Sequence, residues 1–289
     1  MTRPDREPAR LRSVAETLAA EAADFVRRRR TEVFDAGVAD SGAVRSKSTP
    51  TDPVTVVDTE TERLLRDRLA ELRPGDPILG EEGGGPADPA ATPADAVTWV
   101  LDPVDGTVNF VYGIPAYAVS IGAQVNGVSV AGAVADVVAG RLYSAAVGLG
   151  AHVTDEDGRN ALHCAEVDHL SMALLGTGFG YSPSRRARQA ELLARLLPVV
   201  RDVRRIGSAA LDLCMVAEGR LDAYYEHGLQ VWDRAAGALI AAEAGARVVL
   251  PAPEVPAVSA GLVVAAAPGI ADQLLAALRE FDGLDPILD

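Results

Sequence analysis

Two aspartates separated by two residues stand in the central segment Asp102-Pro-Val-Asp-Gly-Thr-Val-Asn109. The apolar run Trp99 to Leu101 before them is typical of the end of a buried strand. Pro103 fixes φ at about −65° and Gly106 permits conformations closed to other residues, so the pattern predicts a sharp turn after the strand. Such a turn would present two carboxylates and several backbone N–H groups at one point. Carboxylates suit hard divalent cations and N–H groups suit phosphate, so the segment indicates metal-assisted phosphate chemistry.

An ordinary turn is the alternative interpretation of this segment, since Asp-Pro and Asp-Gly pairs are common in turns. A second acidic feature bears on the choice. Ile78 to Gly80 predicts a short strand that ends in Glu81 and Glu82. Adjacent acids at a strand end are usually solvated, but these lie on the same side of a strand-to-turn transition as Asp102 and could face it.

A further acid, Asp58, precedes a predicted helix. Val54 to Val57 is typical of a short strand or extended segment, and the helix is predicted from about Glu60 to Leu72. Thr59 with Glu62 fits a capping box at its start. Helix capping is therefore the alternative to a chemical role for Asp58.

The second half of the chain repeats this association of polar residues with element ends. Ser208 is predicted to cap a helix that runs to about Glu218. Trp232 to Ala244 predicts an alanine-rich helix with Asp233 in its first turn, where Asp is also an ordinary capping residue. The predicted strand from Leu221 to Tyr225 leads into Glu226 and His227. His227 could act as a general acid, although a structural or rim position is the favoured interpretation.

The remaining pattern is one of irregularly alternating strands and helices, which indicates stacked layers of sheet and helix. Ala116 to Gly140 carries a single charge, but Asn126-Gly127 is a strong hairpin signal, so two paired strands are predicted rather than a membrane helix. The other predicted helices cover about 9–35, 183–197 and 270–281, and the other strands 141–147, 172–178, 203–206, 248–250 and 262–266.

Composition limits the possible functions. The chain has 289 residues, 48% of them hydrophobic, which is enough for a large buried core. Its net charge of −14 disfavours a nucleic-acid-binding surface, which needs a basic face. The two cysteines, Cys164 and Cys214, form no C-x-x-C motif and are expected to be structural thiols. The first residues contain no apolar segment of the signal-peptide type, so a cytoplasmic location is expected.

Together these motifs resemble the inositol monophosphatase family of magnesium-dependent, lithium-sensitive sugar phosphatases. The resemblance covers nearly the whole chain and is closest to the bacterial inositol-1-monophosphatases. It implies an α/β (α+β) fold, with a single domain over residues 1–289 built as a layered α/β/α/β/α sandwich in two halves, and a homodimer. The segments that carry the resemblance are Lys47 to Asp58, Gly80-Glu-Glu82, Asp102 to Asn109 and Trp232-Asp-Arg-Ala-Ala-Gly237.

The resemblance also implies a role for each site residue. Ligands of two or three Mg²⁺ ions would be Glu81, Asp102, the carbonyl of Val104, Asp105 and Asp233, with Asp102 bridging two of the ions. Gly106 and Thr107 would bind phosphate through backbone N–H groups. Thr107, oriented by Asp58, would position and deprotonate the attacking water, with Glu81 also in the catalytic set. Substrate contacts would come from Glu226, Ser208, Ala209, Asp105 and Asp233, with Glu82, Lys47 and Asn109 in supporting positions.

Electrostatics supports the need for cations independently of the resemblance. The five acids Asp58, Glu81, Asp102, Asp105 and Asp233 would converge on one cleft. Two unit charges about 4 Å apart repel by roughly 4 kcal/mol at an effective dielectric of about 20, so five cannot stay ionised together without cations. An all-oxygen ligand set selects Mg²⁺, or Mn²⁺, over zinc.

Several substrates fit the shared metal site. Inositol 1-phosphate is the leading expectation, because Glu226 could accept hydrogen bonds from ring hydroxyls. Fructose 1,6-bisphosphate, histidinol phosphate and adenosine 3′,5′-bisphosphate are hydrolysed by relatives on the same scaffold, and a bisphosphate would need extra cations near the ring pocket. Arg204 and Arg205 are the nearest candidates in the sequence. A non-catalytic role with a protein partner is the alternative of a different class, with neither nucleic acid nor membrane as a direct partner.

Overall fold

The computed structural model describes residues 7–35, 43–47, 52–86, 93, 95–251 and 261–288. The helices are α1 Pro8–Arg30, α2 Val56–Leu72, α3 Thr107–Tyr112, α4 Pro183–Leu196, α5 Ala209–Ala217, α6 Val231–Glu243 and α7 Pro268–Glu280. The strands are β1 Val44–Ser46, β2 Pro53–Thr55, β3 Ile78–Gly80, β4 Val97–Asp105, β5 Ala118–Val125, β6 Val128–Asp136, β7 Arg141–Ala146, β8 Ala151–Asp155, β9 Gly158–Ala161, β10 Leu174–Thr177, β11 Asp202–Arg204, β12 Ala223–His227, β13 Arg247–Val249 and β14 Leu262–Ala266.

Two main sheets organise the described chain. The first has seven strands in the order β3-β4-β5-β6-β7-β8-β9, parallel between β3 and β4 and antiparallel elsewhere. The second has five strands in the order β11-β10-β12-β14-β13, with β10 parallel to both of its neighbours. A short antiparallel pair, β1 with β2, stands apart from both.

The helices form three layers around these sheets. Leu18 of α1 and Leu65 of α2 pack with Ile121 on the outer face of the seven-stranded sheet. Helices α5 and α6 lie between the two sheets, since Ile240 packs with Tyr143 of β7 while side chains of the same helices also pack against β12 and β14. Helices α4 and α7 cover the remaining face of the five-stranded sheet. The order of layers is α/β/α/β/α, as the family resemblance implies; the single domain of two halves stays a prediction.

Helix α6 lies unusually close to the seven-stranded sheet. A Cβ atom added at Gly122 of β5 would lie 2.8 Å from the Cβ of Ala235, and one at Gly132 of β6 would lie 2.9 Å from the Cα of Ala236. Small residues on both sides therefore allow the backbones to approach. This contact matters for function because α6 carries Asp233 in its first turn.

The predicted hairpin is confirmed. Asn126 and Gly127 both have positive φ angles, 53° and 74°, which is the geometry that a two-residue hairpin turn requires. Within the described ranges no helix is both long and apolar enough to cross a membrane. Strands β8 and β9 were not predicted, because they are short strands at one end of the sheet, and the pairing of β8 with β7 and of β9 with β8 is not evident from their composition.

The predicted turn after Leu101 is wrong in its placement. Strand β4 continues to Asp105, so both aspartates belong to the strand itself. In β4 three residue steps separate Asp102 from Asp105, while only two separate their partners Ser120 and Ala118 in β5. This bulge accommodates one extra residue in β4. It therefore places Asp102 and Asp105 on the same face of the sheet, whereas residues three positions apart in a regular strand lie on opposite faces.

The start of α2 also differs from its prediction. The helix begins at Val56, because Thr55 rather than Thr59 is the cap: its hydroxyl accepts hydrogen bonds from the N–H groups of Val57 and Asp58 at 3.1 and 3.4 Å. Asp58 completes the capping box by accepting the Thr55 N–H at 3.0 Å. The β-branched valines favoured an extended segment in the sequence, and the cap overrides that preference.

Candidate active site

A cavity of about 890 Å³ opens where the two sheets and the α5–α6 layer meet. Most of the site residues expected from the sequence line it: Lys47, Glu81, Asp102, Val104, Asp105, Gly106, Thr107, Ser208, Ala209, Glu226 and Asp233. Three do not line it. Asp58 and Glu82 form hydrogen bonds with Thr107 and Lys47, which do, and Asn109 donates to the carbonyl of Ile206, next to the lining residue Gly207. Folding therefore collects residues from six separate segments at one place.

Protein donors hold the aspartates at the centre of this cavity. Asp102 accepts the Val104 N–H at 3.1 Å within the β4 bulge. Asp105 is tied to α5, because one of its oxygens accepts both the Ser208 hydroxyl at 2.5 Å and the Ala210 N–H at 2.7 Å. These contacts fix the aspartates without supplying a positive side chain.

Asp233 is held by the start of α6. Its Oδ2 accepts the N–H of Gln230 at 2.7 Å, in a capping box that starts α6. The sequence-based capping interpretation of Asp233 is therefore true of its local geometry, and the residue also lines the cavity.

Burial and mutual repulsion disfavour ionisation of these groups. Burial raises the pKa of Asp102 well above its ordinary range, and the charges of Glu81, Asp105 and Asp233 raise it further. Burial raises the pKa of Asp105 to about 6, even though the Ser208 hydroxyl acts in the opposite direction. Desolvation, followed by the charge of Asp105, raises the pKa of Asp233 well above its usual value. A cation placed among them would remove this cost.

The donor set suits magnesium in chemistry, although it is not closed around a point. Carboxylate oxygens and a backbone carbonyl are hard ligands of the kind that Mg²⁺ prefers. In the described part of the chain no three His, Cys, Asp or Glu side chains already stand as a ready coordination sphere. The carboxylates instead point to protein donors, so metal binding would require their side chains to turn within the cavity.

Lys47 lies beside the acids of the β3 end. Its ammonium donates to Glu81 at 2.7 Å and also to Glu82. Burial opposes the charge of Lys47, but the carboxylates of Glu81 and Glu82 together outweigh it and raise the pKa of the lysine. Burial raises the pKa of Glu82 to about 7. Glu82 thus contacts the cavity through Lys47 rather than directly.

Thr107 and Asp58 form a hydrogen-bonded pair at the floor of the cavity. The Thr107 hydroxyl lies 3.2 Å from Asp58 Oδ1 and 3.0 Å from the carbonyl oxygen of Val104, either of which can accept its proton. The other carboxylate oxygen of Asp58 accepts from the hydroxyl and N–H of Thr55. Burial raises the pKa of Asp58 to about 6. Asp58 is therefore both a helix cap and a partner of Thr107, where the sequence offered these as alternatives.

Gly106 precedes α3 in a conformation that requires glycine. Its φ is 95°, and an added Cβ would lie 3.0 Å from the carbonyl oxygen of Ala116 and 3.1 Å from that of Gly207. Asn109, one turn into α3, donates to the carbonyls of Ala116 at 2.7 Å and Ile206 at 2.9 Å. Asn109 thus ties the phosphate-motif segment to the segment before α5 and does not face the cavity.

A second group of polar residues lies on the five-stranded-sheet side. Glu226 accepts a hydrogen bond from the hydroxyl of buried Tyr224. An added Cβ at Gly178 would lie 1.8 Å from Glu226 Oε2, so the absence of a side chain there makes room for the carboxylate. Desolvation raises the pKa of Glu226 to about 7.

Asp212 is a cavity residue that the sequence reasoning missed. It is 1% exposed, lies in the first turn of α5 and lines the cavity, and among the described residues its Oδ1 has no hydrogen-bond partner. Burial, with a contribution from the charge of Glu226, raises its pKa well above the ordinary range. Its signal in the sequence was an acid four residues after the predicted cap Ser208, on an otherwise apolar helix.

The arginines and His227 separate into cavity and structural residues. Arg205 lines the cavity. Arg204 does not line it and instead forms an ion pair with Asp202, with an N···O distance of 2.7 Å. His227 is 1% exposed, and its Nε2 donates to the carbonyl of Gly283 at 2.9 Å. Burial lowers the pKa of His227. His227 also lines the cavity, and its bond to a backbone carbonyl fits the structural or rim position that the sequence favoured.

Comparisons with known proteins agree with these motifs. Residues 7–283 match the model of the inositol monophosphatase family. An inositol-1-monophosphatase SuhB from Mycobacterium tuberculosis is 78% identical over 293 residues, with 100% of each chain covered. A Nus factor SuhB from Pasteurella multocida is 38% identical over 226 residues, covering 78% of this chain and 81% of the relative.

The fold is similar to solved structures as well. The structure of Mycobacterium tuberculosis SuhB superposes with a TM-score of 0.81 at 70% identity, covering 97% of this chain and 100% of that one. The resemblance inferred from four short segments is confirmed over nearly the full length of the protein. The chain therefore belongs to the inositol monophosphatase family and is a phosphatase.

Proposed function

We propose that this protein is a Mg²⁺-dependent phosphomonoesterase that hydrolyses inositol 1-phosphate to inositol and phosphate. One observation carries the proposal: Glu81, Asp102, Asp105 and Asp233 share a cavity with Thr107 and Glu226. The four acids can hold cations, and Thr107 can accept a hydrogen bond from the attacking water. Glu226 can accept a hydrogen bond from a ring hydroxyl. A close relative named inositol-1-monophosphatase supports the same substrate.

The metal-holding residues would be Glu81, Asp102, the Val104 carbonyl, Asp105 and Asp233. Asp102 and Asp105 are buried, and among these four carboxylates Glu81 forms an ion pair, with Lys47 at 2.7 Å. Bound Mg²⁺ would supply Lewis acidity, which acidifies a water and neutralises charge that develops on the phosphoryl group. The carboxylates would have to leave their present protein donors in part to do this.

Thr107 and Asp58 would handle the proton of the attacking water. The Thr107 hydroxyl, aligned by Asp58 at 3.2 Å, can accept a hydrogen bond from water while it donates to the carboxylate. As the water oxygen bonds to phosphorus and the ester P–O bond breaks, a proton of the water can pass through this hydroxyl to Asp58, and the departing ring oxygen takes a proton from solvent. A buried carboxyl group with a pKa of about 6 is suited to accept it near neutral pH.

The substrate would lie between the two groups of residues. Its phosphate would accept from the N–H groups of Gly106 and Thr107, since the first N–H groups of a helix have no partner within that helix. Its ring hydroxyls would donate to Glu226, with Ser208 and Ala209 at the side of the ring. The position of Ser208 is fixed by its bond to Asp105.

A bisphosphate is the second candidate substrate, and one observation favours keeping it. Arg205 lines the cavity and provides a cation of the kind that a second phosphate would need. Fructose 1,6-bisphosphate is the natural test compound. Histidinol phosphate tests whether a cationic amine is accepted beside Glu226 instead.

A binding role is the candidate of a different class. Relatives named Nus factor SuhB are 38% identical to this chain, which supports a partnership with other proteins. The net charge of −14 argues against direct contact with nucleic acid. The homodimer and the cytoplasmic location stay predictions from the family resemblance.

The deciding experiment measures phosphate release from inositol 1-phosphate, fructose 1,6-bisphosphate and histidinol phosphate, with and without Mg²⁺. A Mg²⁺-dependent preference for inositol 1-phosphate is the expected result. Preference for another ester would keep the metal site and overturn the proposed role of Glu226. If none of the three is hydrolysed with Mg²⁺ or Mn²⁺, the binding role becomes the better description.

A further inference from the structure

Glu81 lies in a tight loop, residues 80–84, which we name the acidic loop. The two ends of this loop are bonded to each other, Gly84 N–H to the Gly80 carbonyl at 3.0 Å and Gly80 N–H to the Gly84 carbonyl at 3.1 Å. The N–H of Glu81 is bonded to the Leu101 carbonyl at 3.1 Å, next to Asp102. These bonds leave the middle of the loop, at Glu82 and Gly83, to be held by something else.

The side chain of Glu62 holds that middle. Its Oε2 accepts the N–H of Glu82 at 2.7 Å, and its Oε1 accepts the N–H of Gly83 at 2.8 Å. Glu62 is 2% exposed, so these bonds are protected from competition by water. The capping box with Thr59 that the sequence indicated is not formed, and Glu62 serves the acidic loop instead.

Arg66 completes the support one turn further along α2. Its Nε donates to Glu62 Oε1 at 2.8 Å, and its Nη2 donates to the carbonyl of Gly84 at 2.7 Å. Arg66 thereby neutralises the buried carboxylate and bonds the far end of the loop. The planar guanidinium presents its donors in a fixed fork, which a lysine cannot reproduce.

The loop is shaped around this carboxylate. An added Cβ at Gly80 would lie 2.5 Å from Glu62 Cδ, and one at Gly83 would lie 2.7 Å from Glu62 Oε1. Both glycines are therefore needed for the backbone to close on the side chain. The contact is built from both partners, which distinguishes it from an incidental surface hydrogen bond.

We propose that Glu62 is a positioning residue for metal binding, acting through the backbone of the acidic loop to aim the Glu81 carboxylate. The proposal rests on the proposed function, because it takes Glu81 to be a metal ligand. Glu62 follows Asp58 by one helical turn, so α2 carries both the carboxylate that aligns Thr107 and the one that holds the loop. Helix α2 would thus set the distance between the water-handling and metal-binding parts of the site.

The test is the affinity for Mn²⁺, measured on the full chain without substrate by electron paramagnetic resonance of the free ion. An amide at position 62 has one acceptor oxygen and turns its NH₂ group toward one of the two loop N–H groups. We expect Glu62→Gln to raise the Kd for Mn²⁺ by about tenfold or more, the usual effect of removing a partner that orients a metal ligand. Glu71→Gln is the matched control, since it makes the same change on an exposed part of α2.

The outcomes separate the proposals. A lower melting temperature of metal-free Glu62→Gln with an unchanged Kd would mean a purely structural role and overturn the inference. If that variant does not fold, Arg66→Lys keeps the charge but cannot bond both partners; a raised Kd supports the inference and an unchanged Kd overturns it. A wild type that binds no Mn²⁺ overturns the metal site and the inference together. A wild type that binds Mn²⁺ but hydrolyses no ester overturns only the function, because the Kd difference still decides the role of Glu62.

Discussion

The cavity has two acidic walls that differ in how their charge is balanced. The first, which we name the metal wall, consists of Glu81, Asp102, Asp105 and Asp233. These four have one another as neighbours, and Glu81 is the one of them that Lys47 bonds. On the second, the ring wall, Glu226 bonds the hydroxyl of Tyr224 and lies close enough to Arg205 for that charge to lower the pKa of Glu226.

The difference indicates two kinds of ligand. Burial and neighbouring carboxylates raise the pKa values of Asp102, Asp105 and Asp233, and a divalent ion among them would favour their ionised forms. Glu226 has both the neutral hydroxyl of Tyr224 and the charge of Arg205 beside it, so it can accept a ring hydroxyl without a metal ion. A phosphate ester of a polyol presents both kinds of partner, anion with metal at one end and hydroxyls at the other.

The largest expected effect is on the metal wall. Asp102→Asn keeps an acceptor for the Val104 N–H but removes the charge, so the fold should persist while cation binding fails. We expect kcat/KM to fall by at least about 10³-fold, since metal assistance is worth several kcal/mol and about 1.4 kcal/mol is tenfold. In EDTA the variant should melt at the same or a higher temperature near pH 8, because burial raises the pKa of Asp102 and ionisation there costs stability.

Asp136→Asn is the matched control for that change. Asp136 lies at the end of β6 outside the cavity, and one of its oxygens accepts the N–H groups of Val138 and Ala139, which an amide oxygen can also accept. Its turnover should stay close to wild type. Near-wild-type turnover in Asp102→Asn would instead refute the metal wall.

The next effect concerns the hydroxyl between the walls. Thr107→Val has nearly the same shape and removes the group that bonds Asp58. We expect kcat to fall by about 10² to 10⁴, the usual worth of general base catalysis, while the Kd for Mn²⁺ changes little. Thr107→Ser should recover most of the rate. A loss confined to KM would contradict the role in proton transfer and leave only a role in binding.

A smaller effect is expected where the two walls meet. Gly106→Ala places a Cβ within 3.1 Å of two carbonyl oxygens at a φ of 95°. We expect a loss of about 1 to 3 kcal/mol in the free energy of unfolding and a fall in kcat of about tenfold, as the Thr107 N–H is displaced. Gly148→Ala is the control, with a φ of 72° and open space around it, so it isolates backbone strain from crowding. Equal losses in the two variants would show that crowding at Gly106 has no part.

Features that depend on interactions between residues close in sequence were predicted, whereas features that depend on contacts between distant segments were not. The hairpin at Asn126-Gly127 and the Ser208 cap of α5 were predicted because their chemistry is local to a few residues. The continuation of β4 to Asp105 was not predicted, because the bulge depends on pairing with β5, which is a separate segment of the sequence. The start of α2 was missed since valine favours strands and Thr55 lay outside the considered cap.

The site followed the same rule. Of the fourteen site residues expected from the family resemblance, eleven line the cavity, and their roles stay predictions. Glu62 and Asp212 were missed as site residues, because their partners lie on other segments and nothing next to them in the sequence marks a function. A sequence motif more readily identifies side chains that would contact the reactants than side chains that support those residues from another segment.

The smallest effect is expected on the ring wall, from Glu226→Gln. The amide keeps one acceptor for a ring hydroxyl, so KM for inositol 1-phosphate should rise about three- to tenfold, the difference between a charged and a neutral hydrogen bond. The stability effect is more diagnostic. Desolvation raises the pKa of the carboxyl from 4.5 to about 7, so its favourable contribution is complete below pH 4.5 and is lost as pH rises to about 7. In EDTA, Glu226→Gln should therefore become more stable relative to wild type as pH rises from 4.5 to about 7. Above pH 7 the difference in the free energy of unfolding should stay constant.

Tyr224→Phe sharpens this last prediction, because the Tyr224 hydroxyl lowers the pKa of Glu226 by donating to it. Without that donor, the upper end of the stability window should move above pH 7, as seen by thermal melts of Tyr224→Phe with and without Glu226→Gln. An unmoved window would mean that the hydroxyl does not stabilise the ionised carboxyl. Arg205 would then be the group that offsets the charge of Glu226, and the hydroxyl of Tyr224 would no longer distinguish the ring wall from the metal wall.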